Sequence, residues 1–97
     1  MSLPLRWTER AVDELAAIAE QISLTSPVYA EQMVDRLVAR LRQAQEFAMS
    51  GRVVPEAGNS DVRELYEWPY RVIYRVRSDH IEVIAIVHGR RDLDAQL

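Results

Sequence analysis

Up to about residue 48 the apolar side chains recur every three or four positions, and from residue 62 onward they recur every second. That change of period restricts the chain to an α+β arrangement with helices before strands. A 3.6-residue stripe packs as a helix, and a two-residue alternation packs as a strand. Ala11, Val12, Leu15, Ala16, Ile18, Ala19 and Ile22 share one side of a first helix, which Thr8 is placed to cap and whose dipole Glu9 complements. Ser26 and Pro27 open a second helix that runs to about Ala48, with Ala30, Met33, Val34, Leu37, Val38, Leu41, Ala44 and Ala48 on one side. The connection is short enough to make the pair an antiparallel helical hairpin.

Leu3, Leu5 and Trp7 alternate ahead of the hairpin and predict a short first strand, placed at a sheet edge by Pro4. Residues 50–60, with Gly51, Pro55, Gly58, Asn59 and Ser60, read as a loop. Three mainly antiparallel strands are expected at about 62–67, 70–77 and 81–88, and the last, almost wholly apolar, is an interior one. The expected order is β-α-α-β-β-β in a single domain over residues 1–97.

A turn at Ser78 and Asp79 pairs Arg75 with Glu82, Tyr74 with Val83, Ile73 with Ile84, Val72 with Ala85 and Arg71 with Ile86. Val72, Tyr74, Val76, Ile81, Val83 and Ala85 then share a face for the helices to cover. Arg71, Ile73, Arg75, Glu82, Ile84, Ile86 and, by continued alternation, His88 share the other.

The chain has no cysteine and a net charge of −3, with 48% apolar and 28% charged residues. No apolar run approaches the roughly 20 residues that span a bilayer, and residues 1–6 lack the pattern of a signal peptide. A cytoplasmic protein without a membrane partner is expected. The acidity argues against a general nucleic-acid coat. All 12 basic residues are nevertheless arginine, the planar fork suited to phosphate and carboxylate, although a GC-rich genome would have the same effect.

In the expected register Arg75 meets Glu82 as a cross-strand ion pair, whereas Arg71 meets no carboxylate and has His88, Arg90 and Arg91 for company. Such a cluster suits an anion unless Glu64, Asp92 or Asp94 quenches it. His88 reads either as a hydrogen-bonded histidine or as an acid–base group. With no cysteine and no second histidine beside it, no metal site or cofactor motif is expected. Trp7, Tyr66, Trp68 and Tyr70 read as packing residues in preference to a base-stacking platform.

Several stretches occur in a fixed order: Thr8-Glu9-Arg10-Ala11, Ser26-Pro27, Gly51-Arg52-Val53-Val54-Pro55-Glu56, Val62-Arg63-Glu64-Leu65, Tyr70-Arg71-Val72-Ile73-Tyr74-Arg75-Val76 and Val87-His88-Gly89-Arg90-Arg91. Over nearly the whole chain this set resembles the ParE branch of the RelE/ParE toxin superfamily. The resemblance implies the toxin of a type II toxin–antitoxin module, serving plasmid or chromosome maintenance, with growth arrest when it is released. A ParD-like antitoxin would hold it in a hetero-oligomer. The apolar helix positions Leu15, Ile18, Ile22, Val34, Leu37, Val38 and Leu41 are the candidate antitoxin contacts.

RelE-like members cut messenger RNA on the ribosome, and Arg71 and Arg90 match two of their arginines, with His88 available as acid or base. Where those members carry lysines on the preceding strand, this chain has Val62 and Glu64, and no tyrosine follows Arg91. The resemblance is therefore to ParE, which implies binding and poisoning of DNA gyrase with no catalytic residue, no cofactor and no sequence-specific DNA contact. Arg71, His88, Arg90 and Arg91 are the candidate target contacts, and a RelE-type endoribonuclease is the alternative.

Overall fold

The computed structural model describes residues 2–89. Its elements run β1 (Leu5–Trp7), α1 (Glu9–Ser23), α2 (Pro27–Glu46), β2 (Arg52–Val53), a 3-10 turn (Pro55–Ala57), β3 (Val62–Glu67), β4 (Tyr70–Val76) and β5 (Ile81–His88). This is the α+β order expected from the period change, with one addition. β2 is two residues long, too short to leave a periodic trace in the expected loop. The strands form one sheet in the order β1-β5-β4-β3-β2, in which only the β1–β5 pairing is parallel. β5 is thus interior and β1 lies at an edge.

The helix starts are set by the expected caps. Thr8 Oγ1 accepts from the Ala11 N–H at 3.1 Å, and Ser26 Oγ accepts from the Tyr29 N–H at 3.1 Å, with Pro27 in the first turn where no N–H is needed. α1 and α2 cover one face of the sheet. Ala11, Met33, Leu37 and Leu41 pack with Val72, Val83 and Ile86, and Ala44 continues that layer with Tyr74 and Ile81. Gly51 sits buried below, where an added Cβ would lie 2.6 Å from Tyr74 Oη and 2.7 Å from the Glu64 carbonyl oxygen, so only glycine fits. Tyr74 uses this contact: its hydroxyl donates to the Ala48 carbonyl (2.8 Å) and accepts from the Gly51 N–H (3.0 Å), tying the end of the hairpin to β4.

The β4–β5 register holds from Val76 with Ile81 through Tyr74 with Val83 and then shifts by one residue. Ile73 pairs with Ala85, Val72 with Ile86, Arg71 with Val87 and Tyr70 with His88, leaving Ile84 as the extra residue of a bulge. Three expectations are corrected by it. Ile86 joins the helix-covered core, Ala85 joins Val54, Val62, Ile73, Ile84 and Val87 on the opposite face, and His88 comes round to the helix side beside Tyr70. The bulge is met by a residue far away in the chain. The Thr8 hydroxyl stands 2.8 Å from the Val83 carbonyl and 3.1 Å from the Ile84 carbonyl, two consecutive acceptors on one side, which a regular strand does not present.

Candidate functional site

The second face of the sheet is where an exposed arginine surface was expected, and the structure corrects that expectation. Its middle is apolar, with Val62, Ile73, Ile84, Ala85 and Val87 packed beneath Val54 and Ala57. Arg71 rises beside this patch but is only 4% exposed, next to Glu64 at 1%. Glu64 Oε2 accepts from Arg71 Nε (3.0 Å) and Nη2, and its other oxygen accepts from Arg52 Nε at 2.7 Å. Glu56, on the 3-10 turn, takes two further donors from Arg71 at 3.2 and 3.4 Å. Two arginines and two glutamates therefore close on one another. Burial opposes the Arg71 charge, but the hydrogen bonds and attraction from Glu56 and Glu64 outweigh it and raise the guanidinium pKa further. Arg52 is likewise raised, chiefly by its hydrogen bond to Glu64.

Beside this network the surface changes character. The Arg52 guanidinium lies 5.7 Å from the centroid of the Tyr66 ring, and Tyr66 and Trp68 are 42% and 63% exposed. The expectation that both are packing residues is corrected: Tyr70 and Trp7 pack against the core, while Tyr66 and Trp68 face outward. The signal was local, since Trp68 and Pro69 form the turn between β3 and β4, and turn residues lie at the surface.

His88 belongs to a different place. With Tyr70 and Ile86 from the sheet, and Glu14, Ala17, Ile18 and Gln21 from α1, it lines a groove of about 370 Å³. Tyr70 meets the imidazole edge-on at 6.0 Å, and burial raises the Tyr70 pKa. Glu14 Oε1 accepts from the Ile86 N–H at 3.0 Å, which caps β5 where β1 no longer pairs with it.

A second concavity, of about 560 Å³, lies in the helical hairpin, with Ala19, Ala30 and Val34 among Glu20, Ser23, Glu31 and Asp35. Among the described residues no group of three or more His, Asp or Glu side chains could hold a metal ion, and no helix is long and apolar enough to cross a membrane.

The family model described as the ParE toxin of the type II toxin–antitoxin system parDE matches residues 5–93. The chain belongs to the ParE toxin family. Toxin RelE2 of Caulobacter vibrioides is 31% identical over 86 residues, covering 88% of this chain and 93% of that protein. A chain from the structure of the chromosomal ParDE toxin–antitoxin system of P. aeruginosa superposes with a TM-score of 0.72 at 28% identity, over 90% of this chain and 96% of the other. This ParE-family chain is thus a type II toxin–antitoxin toxin in both sequence and fold.

Within that family frame the expected site residues separate. Arg71 and His88 stand on opposite faces of the sheet and do not form one cluster; Arg90 and Arg91 lie outside the described residues. Arg71 does not lack a neutralising carboxylate, because Glu64 from the neighbouring strand and Glu56 from the loop both reach it. Arg75 does meet Glu82, at 3.9 Å, and Arg77 shares that carboxylate at 3.5 Å. Among the antitoxin candidates, Leu37 and Leu41 are fully buried against the sheet and are withdrawn from any partner. Leu15, Ile18 and Ile22 pack half-buried at the edge of that core, Val38 is half-buried, and Val34 lines the hairpin concavity. The helical stripe could not separate these, because residues facing the sheet and residues flanking them share one apolar arc.

Proposed function

We propose that this toxin arrests growth in the cytoplasm by binding DNA gyrase, and that a ParD-like antitoxin holds it inactive. The supporting observation is the closed Arg71–Glu64–Glu56 network. A guanidinium that binds a scissile phosphate must offer its donors to the substrate, and here two carboxylates occupy them. General acid–base work also needs a proton-transfer group within hydrogen-bond reach of the same reacting atoms. His88, the histidine that a nuclease reading would use, lies on the other face. Binding asks for neither arrangement.

The antitoxin reading rests on the hairpin concavity. Its floor of Ala19, Ala30 and Val34 is small and apolar, and its rim carries Glu20, Glu31 and Asp35. This suits an amphipathic helix with basic flanks. The chromosomal ParDE system that the fold matches is itself a toxin–antitoxin pair. A ribosome-dependent endoribonuclease of RelE type is the alternative, to which the name of the Caulobacter relative points.

The purified toxin is expected to inhibit gyrase supercoiling in a dose-dependent manner, and to leave messenger RNA intact in a parallel translation reaction. Message cleavage on translating ribosomes that disappears in His88→Ala would overturn the reading.

A further inference from the structure

We propose that Arg52, Tyr66 and Trp68 form the contact with which the toxin grips its protein target, and that the matching target surface is acidic around an apolar recess. The inference rests on the gyrase reading above and supplies residues for it, since Arg71 is closed off and His88 lies elsewhere. Trp, Tyr and Arg dominate the energetics of protein interfaces, because they combine a large apolar area with one directed polar group. Here the Arg52 guanidinium lies over the Tyr66 ring and Trp68 follows two residues later in the turn, with the Arg52 side chain 64% exposed and both aromatic residues exposed.

The patch is held in shape before any partner arrives. Arg52 is fixed from below by Glu64 at 2.7 Å and from the side by the Tyr66 ring at 5.7 Å. Less side-chain freedom is then lost on docking than for a loose surface arginine. The charge shown to a partner is positive: Glu64 is fully buried, Glu56 is engaged by Arg71, and Glu67 pairs with Arg40 at 3.2 Å. Carboxylates on the partner therefore complement it.

The chain also leaves the sheet at this point. The Gly89 N–H donates to the Pro69 carbonyl at 2.6 Å, and a Cβ on Gly89 would stand 3.1 Å from the Tyr66 ring. A single-stranded nucleic acid would also stack on such aromatics. Of the three contact residues Arg52 alone is a cation, whereas a groove that tracks a phosphate backbone needs several, so the protein target is the reading argued here.

The test is a gyrase supercoiling titration with the full-length wild type, Trp68→Ala, Arg52→Ala and Trp68→Phe, each checked for an unchanged thermal melt. Arg52→Ala leaves Glu64 paired with Arg71, so it gives a reading independent of any change in the turn. Trp68→Ala and Arg52→Ala are each expected to need about tenfold or more toxin for half-inhibition, with Trp68→Phe recovering most of the loss. If the wild type inhibits and both alanine variants match it, this contact is wrong while the gyrase reading survives. If the wild type leaves gyrase unaffected, the gyrase reading fails and takes this contact with it. Binding of a labelled single-stranded oligonucleotide that is lost in Trp68→Ala, with inhibition unchanged, would show a stacking platform and overturn the proposal.

Discussion

The helix-covered face of the sheet is filled by apolar side chains, Met33, Leu37 and Leu41 lying on Val72, Val83 and Ile86, whereas the opposite face joins a smaller apolar patch to the buried Arg71–Glu64 pair, which Glu56 and the exposed Arg52 flank nearer the surface. The first face needs only shape and apolar area, so its residues announce themselves by period. The second is closed by a loop, and the loop brings Glu56 as well as Ala57. Closing a sheet with a short irregular segment leaves polar groups that must satisfy one another. Such groups tolerate loss of one member badly, because the survivor keeps its desolvation cost without its partner.

This contrast sets the order of expected effects. Glu64→Ala removes the fully buried partner of the buried Arg71 and is expected to destabilise the fold by about 3–5 kcal/mol in urea unfolding. Replacing both partners, Glu64→Leu with Arg71→Met, is expected to restore most of that stability; a double variant as unstable as the single one would show that packing governs this face too. On the other face, Leu37→Ala opens a cavity against the sheet at an expected cost of about 2–5 kcal/mol, with no dependence on salt. A strong salt dependence of that variant would blur the distinction between the faces.

The smallest effect belongs to the exposed β4–β5 turn. The hydrogen bond from His80, at 2.7 Å, holds the Asp79 carboxyl below its usual range. A lowered carboxylate pKa contributes stability above the ordinary carboxylate range and loses it as pH falls through the lowered value. The melting temperatures of wild type and Asp79→Asn are therefore expected to differ slightly at neutral pH and to converge in acid. Asp79 is largely exposed, so a large gap at neutral pH would contradict solvent screening of this pair.

Much of the fold is legible in the sequence. Thr8, Ser26 and Pro27 mark the helix starts through chemistry that acts within three residues, and the alternation from Val62 onward marks the strands in the same local way. The site was less legible. Pairing from the β4–β5 turn gives Arg71 no carboxylate; Glu64, one of the three acidic residues expected as possible quenchers, reaches it from β3, and Glu56, which was not expected, reaches it from the loop before. An aromatic residue at the end of an alternating stretch usually packs, but the place of Trp68 in the turn outweighs that tendency and leaves it 63% exposed.

Sequence alone determined the order of elements, their caps, the helical hairpin, the first half of the β4–β5 register and the family pattern, since each depends on neighbours or on short repeats. Tertiary structure decided which face Ile86 and His88 occupy, because one inserted residue inverts a strand and Thr8, 75 positions away from Val83, receives the bulge. It also decided that Arg71 is enclosed. Glu64 reaches its guanidinium from the neighbouring strand seven residues away, and Glu56 does so only because a loop folds back over fifteen residues, a distance that periodicity does not report.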